Sequence, residues 1–132
     1  MLSNTINSDC RYNIRNYAIT CLFLNCSLRL SELVGINLSD LKIDTTEQTL
    51  KVTGKGNKQR IIYLNDAVCE AINEYMKIHP NLDKSNNDYN ALFLSSRNKR
   101  ISRRSIQDFV NYLVAIRNLS DVYIKNMTVT IE

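Results

Sequence analysis

The sequence predicts an α+β fold, a mainly α-helical single domain with a small three-stranded antiparallel β-sheet. Two stretches, residues 11–26 and 66–79, place apolar side chains at helical spacing. Between them, short β-prone runs alternate with turn-forming residues. With 132 residues, of which 44% are hydrophobic and 23% charged, the chain can bury a core and has the composition of a globular domain.

The first helix is predicted over Arg11–Cys26, and residues 1–10, which lack periodicity, are expected to be frayed or a partial helix. The second half of this helix is nearly apolar, as in a central core helix. The residues expected on its core face are Ile14, Tyr17, Ala18, Cys21, Leu22 and Leu24. A second helix should begin near Leu30 or Ser31 and end around Gly35, where glycine can form a left-handed cap.

The three strands of the predicted sheet are Leu41–Ile43, Thr49–Thr53 and Gln59–Leu64. Residues 45–48 are expected to form the first turn and residues 55–57 the second. Two glycines flank Lys55, and we expect both to supply the positive φ angles that a tight hairpin tip requires.

A third helix is predicted from an N-cap at Asn65 to about His79, with Pro80 ending it. Its buried face should carry Val68, Ile72, Tyr75 and Met76. His79, the only histidine, lies at the end of this helix and is interpreted as a structural cap.

The C-terminal third is predicted to hold a polar loop at 81–90, a short strand or extended segment at 91–95, and one more helix. Ser102 is the expected cap of that helix. The residues expected to face inward are Ile106, Phe109, Val110, Leu113 and Val114. Residues 121–132 alternate weakly and are predicted to be a strand or disordered.

Charge and cysteine content narrow the class of protein. A net charge of +4 permits nucleic-acid binding without showing it. The four cysteines form no CxxC pair and lack nearby histidines, so no metal site is predicted. Cys21, Cys26 and Cys69 lie among apolar residues, which indicates buried thiols in a reducing compartment. No secretory signal and no bilayer-spanning apolar run is present, so we expect a cytoplasmic protein.

Two separate cationic features suggest a ligand. Arg29 lies among apolar neighbours at a helix junction, whereas Lys55, Lys58 and Arg60 load the tip of the predicted hairpin. Guanidinium donors and a mobile cationic loop suit a phosphate backbone better than a small neutral ligand. The plainer alternatives are an Arg29 that is solvated or paired with Glu32, and an ordinary solvated Lys-Gly turn.

The motifs in this region resemble the catalytic domain of the tyrosine recombinase, or phage integrase, family. The resemblance rests on Ser27–Leu33, Leu38–Leu41 and Val52–Arg60, which occur in the family's order, and it extends over about residues 11–118. One departure is small, because the family usually has glycine where this chain has Ser27. The resemblance implies a partial catalytic domain over residues 1–132, with a divergent tail at 119–132.

The resemblance also implies roles for individual residues. Arg29 would stabilise the charge of a pentavalent phosphate, and Lys55 would be the general acid that protonates the departing 5′ oxygen. Lys58 and Arg60 would bind backbone phosphates, and Glu32 would support the position of Arg29 or its neighbourhood. No metal and no nucleotide cofactor is implied.

A second basic segment runs from Arg97 to Arg104. Arg103 and Arg104 fall at the start of the helix capped by Ser102, where a phosphate is a favourable ligand. We predict that these two arginines contact DNA, and the alternative is a solvated basic face.

The larger departure from the family concerns the end of the chain. The family's His-x-x-Arg box and its attacking tyrosine find no match before Glu132, so we interpret the chain as a fragment of a site-specific recombinase. The parent would cut and rejoin double-stranded DNA through a 3′-phosphotyrosyl link, together with other protomers. The fragment alone should bind DNA without cutting it, and exposed core surface should favour self-association. The alternatives are a non-catalytic DNA-binding or structural remnant of the same fold, and an interaction domain unrelated to DNA.

Overall fold

The computed structural model describes residues 2–43, 46–112 and 115–116, with side chains from Tyr12 onward. It forms two compact units, Met1–Ile101 and Ser102–Glu132, which are described separately. The first unit has three helices and a three-stranded antiparallel sheet, and the second begins with a further helix. The predicted α+β fold class is therefore confirmed. Within the described residues, no helix combines the length and the apolar character needed to cross a membrane.

Helix α1 spans Leu2–Cys26 and packs mainly on α3 (Asp66–Ile78). It starts well before the predicted Arg11, because extending a formed helix costs little even where no apolar face drives it. Its buried side is formed by Ala18, Ile19, Cys21, Leu22 and Cys26. The placement of Tyr17 and Leu24 in the core was wrong, since they are 63% and 79% exposed. Seven residues apart, these two share one face of the helix, beside the buried stripe.

Helix α2 is one short segment, Leu30–Val34. The predicted left-handed cap at Gly35 was wrong, because Gly35 has φ −80° and ψ −1° and its N–H donates to the carbonyl of Ser31 at 3.1 Å. The carbonyl at the end of α2 instead accepts a hydrogen bond from Arg100, which is 66 residues further along the chain. The Arg100 guanidinium donates through Nη1 to the carbonyls of Val34 (2.9 Å) and Ile36 (3.0 Å), and through Nη2 to the side-chain oxygen of Asn37.

The sheet has the order β1-β2-β3, with bounds Leu41–Lys42, Thr49–Thr53 and Gln59–Tyr63. Strand β2 matches its predicted bounds, and β1 and β3 each end one residue early. In the antiparallel register, Leu50 pairs with Ile62 and Val52 with Arg60. Leu50 and Val52 are buried, which fixes the face of β3 that looks inward. Residue 44 and residue 45, the first of the predicted first turn, lie outside the described residues.

Helix α3 follows the predicted pattern. The Asn65 side chain accepts a hydrogen bond from the backbone N–H of Val68 at 2.9 Å, which confirms the N-cap. The buried residues of this helix are Val68, Cys69, Ala71, Ile72 and Tyr75, whereas Met76, also predicted on this face, is only partly buried. His79 follows the last turn and is buried, and its Nε2 lies in hydrogen-bond contact with the carbonyl of Ala91 (3.1 Å). The predicted cap of the helix end is thus replaced by a structural contact with a carbonyl twelve residues further along the chain. Cys21, Cys26 and Cys69 are free and buried, as expected.

The predicted strand or extended segment at 91–95 is irregular and mostly buried. Residues 91–94 are all buried, yet they make only the isolated bridges Asn37–Ala91 and Leu94–Arg100. In the second unit, α4 (residues 103–112) begins after Ser102, whose hydroxyl accepts the N–H of Ser105 at 3.0 Å, which confirms that cap. The predictions for Leu113, Val114 and residues 121–132 fall outside the described residues.

Ser27 occupies a backbone conformation that glycine adopts more easily. Its φ of 50° lies in the left-handed region, at the turn between α1 and α2. We expect Ser27→Gly to raise the free energy of unfolding by about 0.5–1 kcal/mol, because relief of strain exceeds the added flexibility of the unfolded chain. Urea unfolding measures the change. Ser96→Gly, at a position of negative φ, is the matched control and should be slightly destabilising. A Ser27→Gly protein no more stable than the original would contradict this account.

Candidate functional site

An open cleft of about 740 Å³ lies between the start of α2 and the β2–β3 hairpin. Five residues singled out in the sequence line it, namely Arg29, Glu32, Lys55, Lys58 and Arg60. Ser27, Gly54 and Gln59 complete its wall. The fold therefore brings together two cationic segments that are about 25 residues apart in the sequence. Their functional roles stay predictions.

The backbone of Arg29 is fixed by hydrogen bonds at its N–H and its carbonyl. Its side chain is therefore free to contact a ligand. Arg29 is the N-cap residue of α2, with φ −80° and ψ 155°. Its backbone N–H donates to Oε1 of Glu32 at 2.9 Å, and its carbonyl accepts from the N–H of Leu33 at 3.0 Å. Among the described residues, the exposed Arg29 guanidinium has no hydrogen-bond or ion-pair partner. The alternative of an Arg29–Glu32 side-chain pair is thus not what the structure contains.

The hairpin tip presents Lys55 and Lys58 to solvent. A turn over Lys55–Asn57 joins the two strands, and the N–H of Gly54 donates to the carbonyl of Lys58 at 2.7 Å. Positive φ angles occur at Gly56 (72°) and Asn57 (59°). The expectation for Gly54 was wrong, since its φ is −102°. Neither lysine side chain has an ion-pair partner in the described part of the chain.

Glu32 links the hairpin to α2. Its carboxylate receives Nη2 of Arg60 at Oε1 (3.0 Å) and Nε of Arg60 at Oε2 (3.3 Å), in addition to the N–H of Arg29. The Glu32 side chain is 6% exposed and that of Arg60 50%. The hydrogen bond from Arg60 lowers the pKa of Glu32 below its ordinary value, against the opposing effect of burial. Glu32 thus contacts Arg29 through the Arg29 backbone N–H and not through the Arg29 guanidinium.

Arg60 has a different environment from the two lysines. Two of its donors are committed to Glu32, so its positive charge is largely balanced inside the protein. The Arg60 side chain, which is 50% exposed, lines the cleft. A phosphate contact from Arg60 therefore stays a prediction, and a weaker field is expected from it than from Lys55 or Lys58.

The basic segment at 97–104 divides into structural and exposed residues. Arg100 is bound to the carbonyls at the end of α2, so a phosphate-binding role for it is not supported. Arg103 and Arg104 are exposed in the first turn of α4, in the second unit. Their contact with DNA stays a prediction.

Some residues of the site gave little signal in the sequence. Gly54 lies against Glu32, because a Cβ at this position would be 3.5 Å from Oε2 of that carboxylate. Ser27 was marked only by the glycine usual in the family, and its positive φ explains that glycine. The capping role of Arg100 had no local signal, since its acceptors are 64 and 66 residues away.

Comparisons with known proteins agree with this architecture. The phage integrase family model matches residues 2–128. The tyrosine recombinase XerC of Caldanaerobacter subterraneus is 50% identical over 111 residues, covering 84% of this chain and 30% of that protein. The XerC of Psychromonas ingrahamii is 42% identical over 95 residues, covering 72% of this chain and 30% of that protein.

A solved structure shows the same fold. The crystal structure of XerA recombinase matches with a TM-score of 0.62 and 25% identity, covering 75% of this chain and 34% of that chain. The chain thus spans about a third of the length of the relatives it matches.

Proposed function

The chain belongs to the phage integrase family, and on that basis we propose that it is the part of a tyrosine recombinase that binds the phosphate backbone of double-stranded DNA in the cleft between α2 and the hairpin. The observation that carries this proposal is that the Arg29 guanidinium, which has no ion-pair partner among the described residues, lines one cleft with Lys55 and Lys58. Cations without internal partners are available to phosphate oxygens, and a duplex offers such oxygens in regular succession.

Each cation would have its own part in strand breakage by the parent protein. Arg29 has a planar fork of donors that can hold two non-bridging oxygens of the reacting phosphate and stabilise added negative charge. Lys55, on the hairpin, is the candidate general acid for the departing 5′ oxygen. Glu32 would hold Arg29 and strand β3 in fixed relative positions through its three hydrogen bonds. Lys58, and more weakly Arg60, would contact neighbouring phosphates, and Arg103 and Arg104 of the second unit would contact DNA separately.

The partners of the parent protein follow from the same proposal. Besides DNA, they are other recombinase protomers, and the exposed apolar side chains of the first unit are candidates for such contacts. Those more than half exposed are Tyr17, Leu24, Ile61 and Tyr63. A cytoplasmic location fits both the free buried cysteines and access to DNA.

The salt dependence of DNA binding tests the proposal. The slope of log K against log salt is negative, and each lost phosphate contact reduces its magnitude by about 0.9, so Lys55→Ala with Lys58→Ala should reduce it by about 1.8. Fluorescence anisotropy with a labelled duplex at several salt concentrations measures both slopes. The expected loss of affinity should be independent of DNA sequence, because phosphates carry no sequence information.

A charge-matched control separates the cleft from net charge. Lys77→Ala with Lys84→Ala removes the same charge from exposed positions outside the cleft, and it should leave the slope nearly unchanged. Equal slopes for the hairpin variant and the original protein would show that the hairpin does not contact DNA. Equal losses in the two double variants would assign the binding to net charge alone.

A further inference from the structure

A second, smaller pocket of about 230 Å³ lies away from the cleft, where α1, the end of α3 and residues 94–98 meet. Arg15 and the buried Tyr75 contribute polar atoms to it. Tyr12, Ile78 and Pro80 contribute apolar surface, and Ser96 stands at its edge. None of these residues has a part in the proposed phosphate-binding site, so the pocket needs a separate explanation.

Arg15 is a half-buried cation for which the described residues supply no counter-ion. Its Nη1 donates to the carbonyl of Leu94 at 3.0 Å, and its Nε and Nη2 donate to the side-chain oxygen of Asn16 at 3.1 and 3.0 Å. The guanidinium carbon also lies 5.2 Å from the ring centre of Tyr12. Within the described residues no carboxylate is within ion-pair distance of Arg15. All of its acceptors are neutral.

Partial burial of the Arg15 charge costs free energy, because the charge loses contact with water. Desolvation lowers the pKa of Arg15, with Tyr75 and Tyr12 acting in the opposite direction. Arginine nevertheless stays charged, and a charge removed from water is stabilised chiefly by an opposite charge with good hydrogen-bond geometry. The bonds to Leu94 and Asn16 use three of the five guanidinium N–H groups, so one on each terminal nitrogen is left for a further acceptor.

Among the other lining residues, which include Ser95 and Asn98, Tyr75 and Ser96 offer hydroxyl donors. The Tyr75 hydroxyl accepts the backbone N–H of Leu94 at 3.1 Å, which leaves its own proton to donate. The Ser96 hydroxyl forms no hydrogen bond within the described part of the chain and can donate as well. A ligand that accepts from all three groups and balances one positive charge is an oxyanion, and the apolar rim of Tyr12, Ile78 and Pro80 suits a carbon chain attached to it.

We propose that this pocket binds the carboxylate of an aspartate or glutamate side chain presented by a partner protein. A single half-buried guanidinium balances one carboxylate. A duplex backbone would instead need several exposed cations along a track, as in the cleft. The pocket holds a small group rather than a polynucleotide. This places a protein-docking site on the α1–α3 side of the first unit, separate from the DNA-binding cleft and independent of it.

A titration with capped amino acids tests the proposal. N-acetyl-glutamate methylamide should give saturable shifts of the backbone amide NMR signals of Leu94, Ser95 and Ser96, whereas N-acetyl-glutamine methylamide at the same ionic strength should not. Arg15→Gln should weaken binding of the glutamate compound by at least about tenfold, the effect of losing a charged hydrogen-bond partner. Lys84→Gln, an exposed charge outside the pocket, should leave the titration unchanged.

Three further results would decide the matter. Inorganic phosphate that bound more tightly than the glutamate compound would overturn the choice of a carboxylate, and equal binding of the glutamine compound would overturn the need for charge. If Arg15→Gln unfolds by circular dichroism, Ser96→Tyr fills the pocket mouth while sparing the contacts of Arg15. Unchanged glutamate binding by Ser96→Tyr would place the site elsewhere.

Discussion

Replacing Arg100 with methionine is expected to lower the free energy of unfolding by about 2–4 kcal/mol, since hydrogen bonds to a charged donor contribute about 1.5–3 kcal/mol each and are not additive. Arg100 bonds the carbonyls of Val34 and Ile36 and the side chain of Asn37. Helix α2 has only five residues and no left-handed glycine cap, and Arg100 is the donor to the Val34 carbonyl at its C-terminal end. Methionine keeps the apolar stem and removes only the donors.

Urea unfolding followed by circular dichroism measures this loss. Arg97→Met is the matched control, because Arg97 is exposed in the same segment and only its backbone N–H bonds, to the Ser95 hydroxyl. The control should change stability by less than about 0.5 kcal/mol. A loss below about 1 kcal/mol for Arg100→Met would mean that water satisfies the carbonyls equally well.

Replacing Glu32 with glutamine is expected to destabilise the protein by about 1–3 kcal/mol at neutral pH, discounted for the half-exposed Arg60. The amide keeps one oxygen acceptor but loses the charge that holds the Arg60 guanidinium at two points. The hairpin should then be less firmly tied to α2. The exposed pair Glu74–Lys77, at 2.8 Å, provides the control, and Glu74→Gln should have almost no effect.

The same substitution predicts a change in pH dependence. The pKa of Glu32 is lowered in the folded protein, so the ion pair contributes stability above the unfolded value of about 4.3. That contribution is lost as the pH falls through the lower, folded-state pKa. Denaturation at a series of pH values should therefore show a smaller acid-induced loss of stability for Glu32→Gln than for the original protein. Parallel pH profiles for the two proteins would contradict the assigned role of the pair.

Much of the fold follows from local signals in the sequence. Helix α3 was predictable because Asn65 caps it, Pro80 follows it, and its apolar residues keep one period throughout. Strand β2 was predictable because turn-forming residues flank a run of residues with high strand propensity. The composition of the cleft followed from family motifs that include Arg29 and Lys55.

The remaining features depend on contacts between distant residues. Gly35 was expected to cap α2, yet Arg100 supplies donors that remove the need for a left-handed residue. Tyr17 and Leu24 fit a helical apolar pattern, but α3 covers only the neighbouring stripe. The partner of Arg60 could not be chosen from sequence, because a cation beside a turn suits solvent, phosphate or a carboxylate equally well until the fold places Glu32 against it.

The central claim is that Arg29 and the hairpin bind one DNA backbone together. The most direct measurement is an NMR titration of ¹⁵N-labelled protein with a short duplex at low salt, observing the Nε–H signal of Arg29 and the backbone amides of Gly54–Lys58. The account predicts that these signals shift together with one affinity, while those of Ala67–Glu74 on α3 stay in place. If the Arg29 and hairpin signals do not move, or if shifts are confined to α3 or to α4, the cleft is not the DNA-binding site.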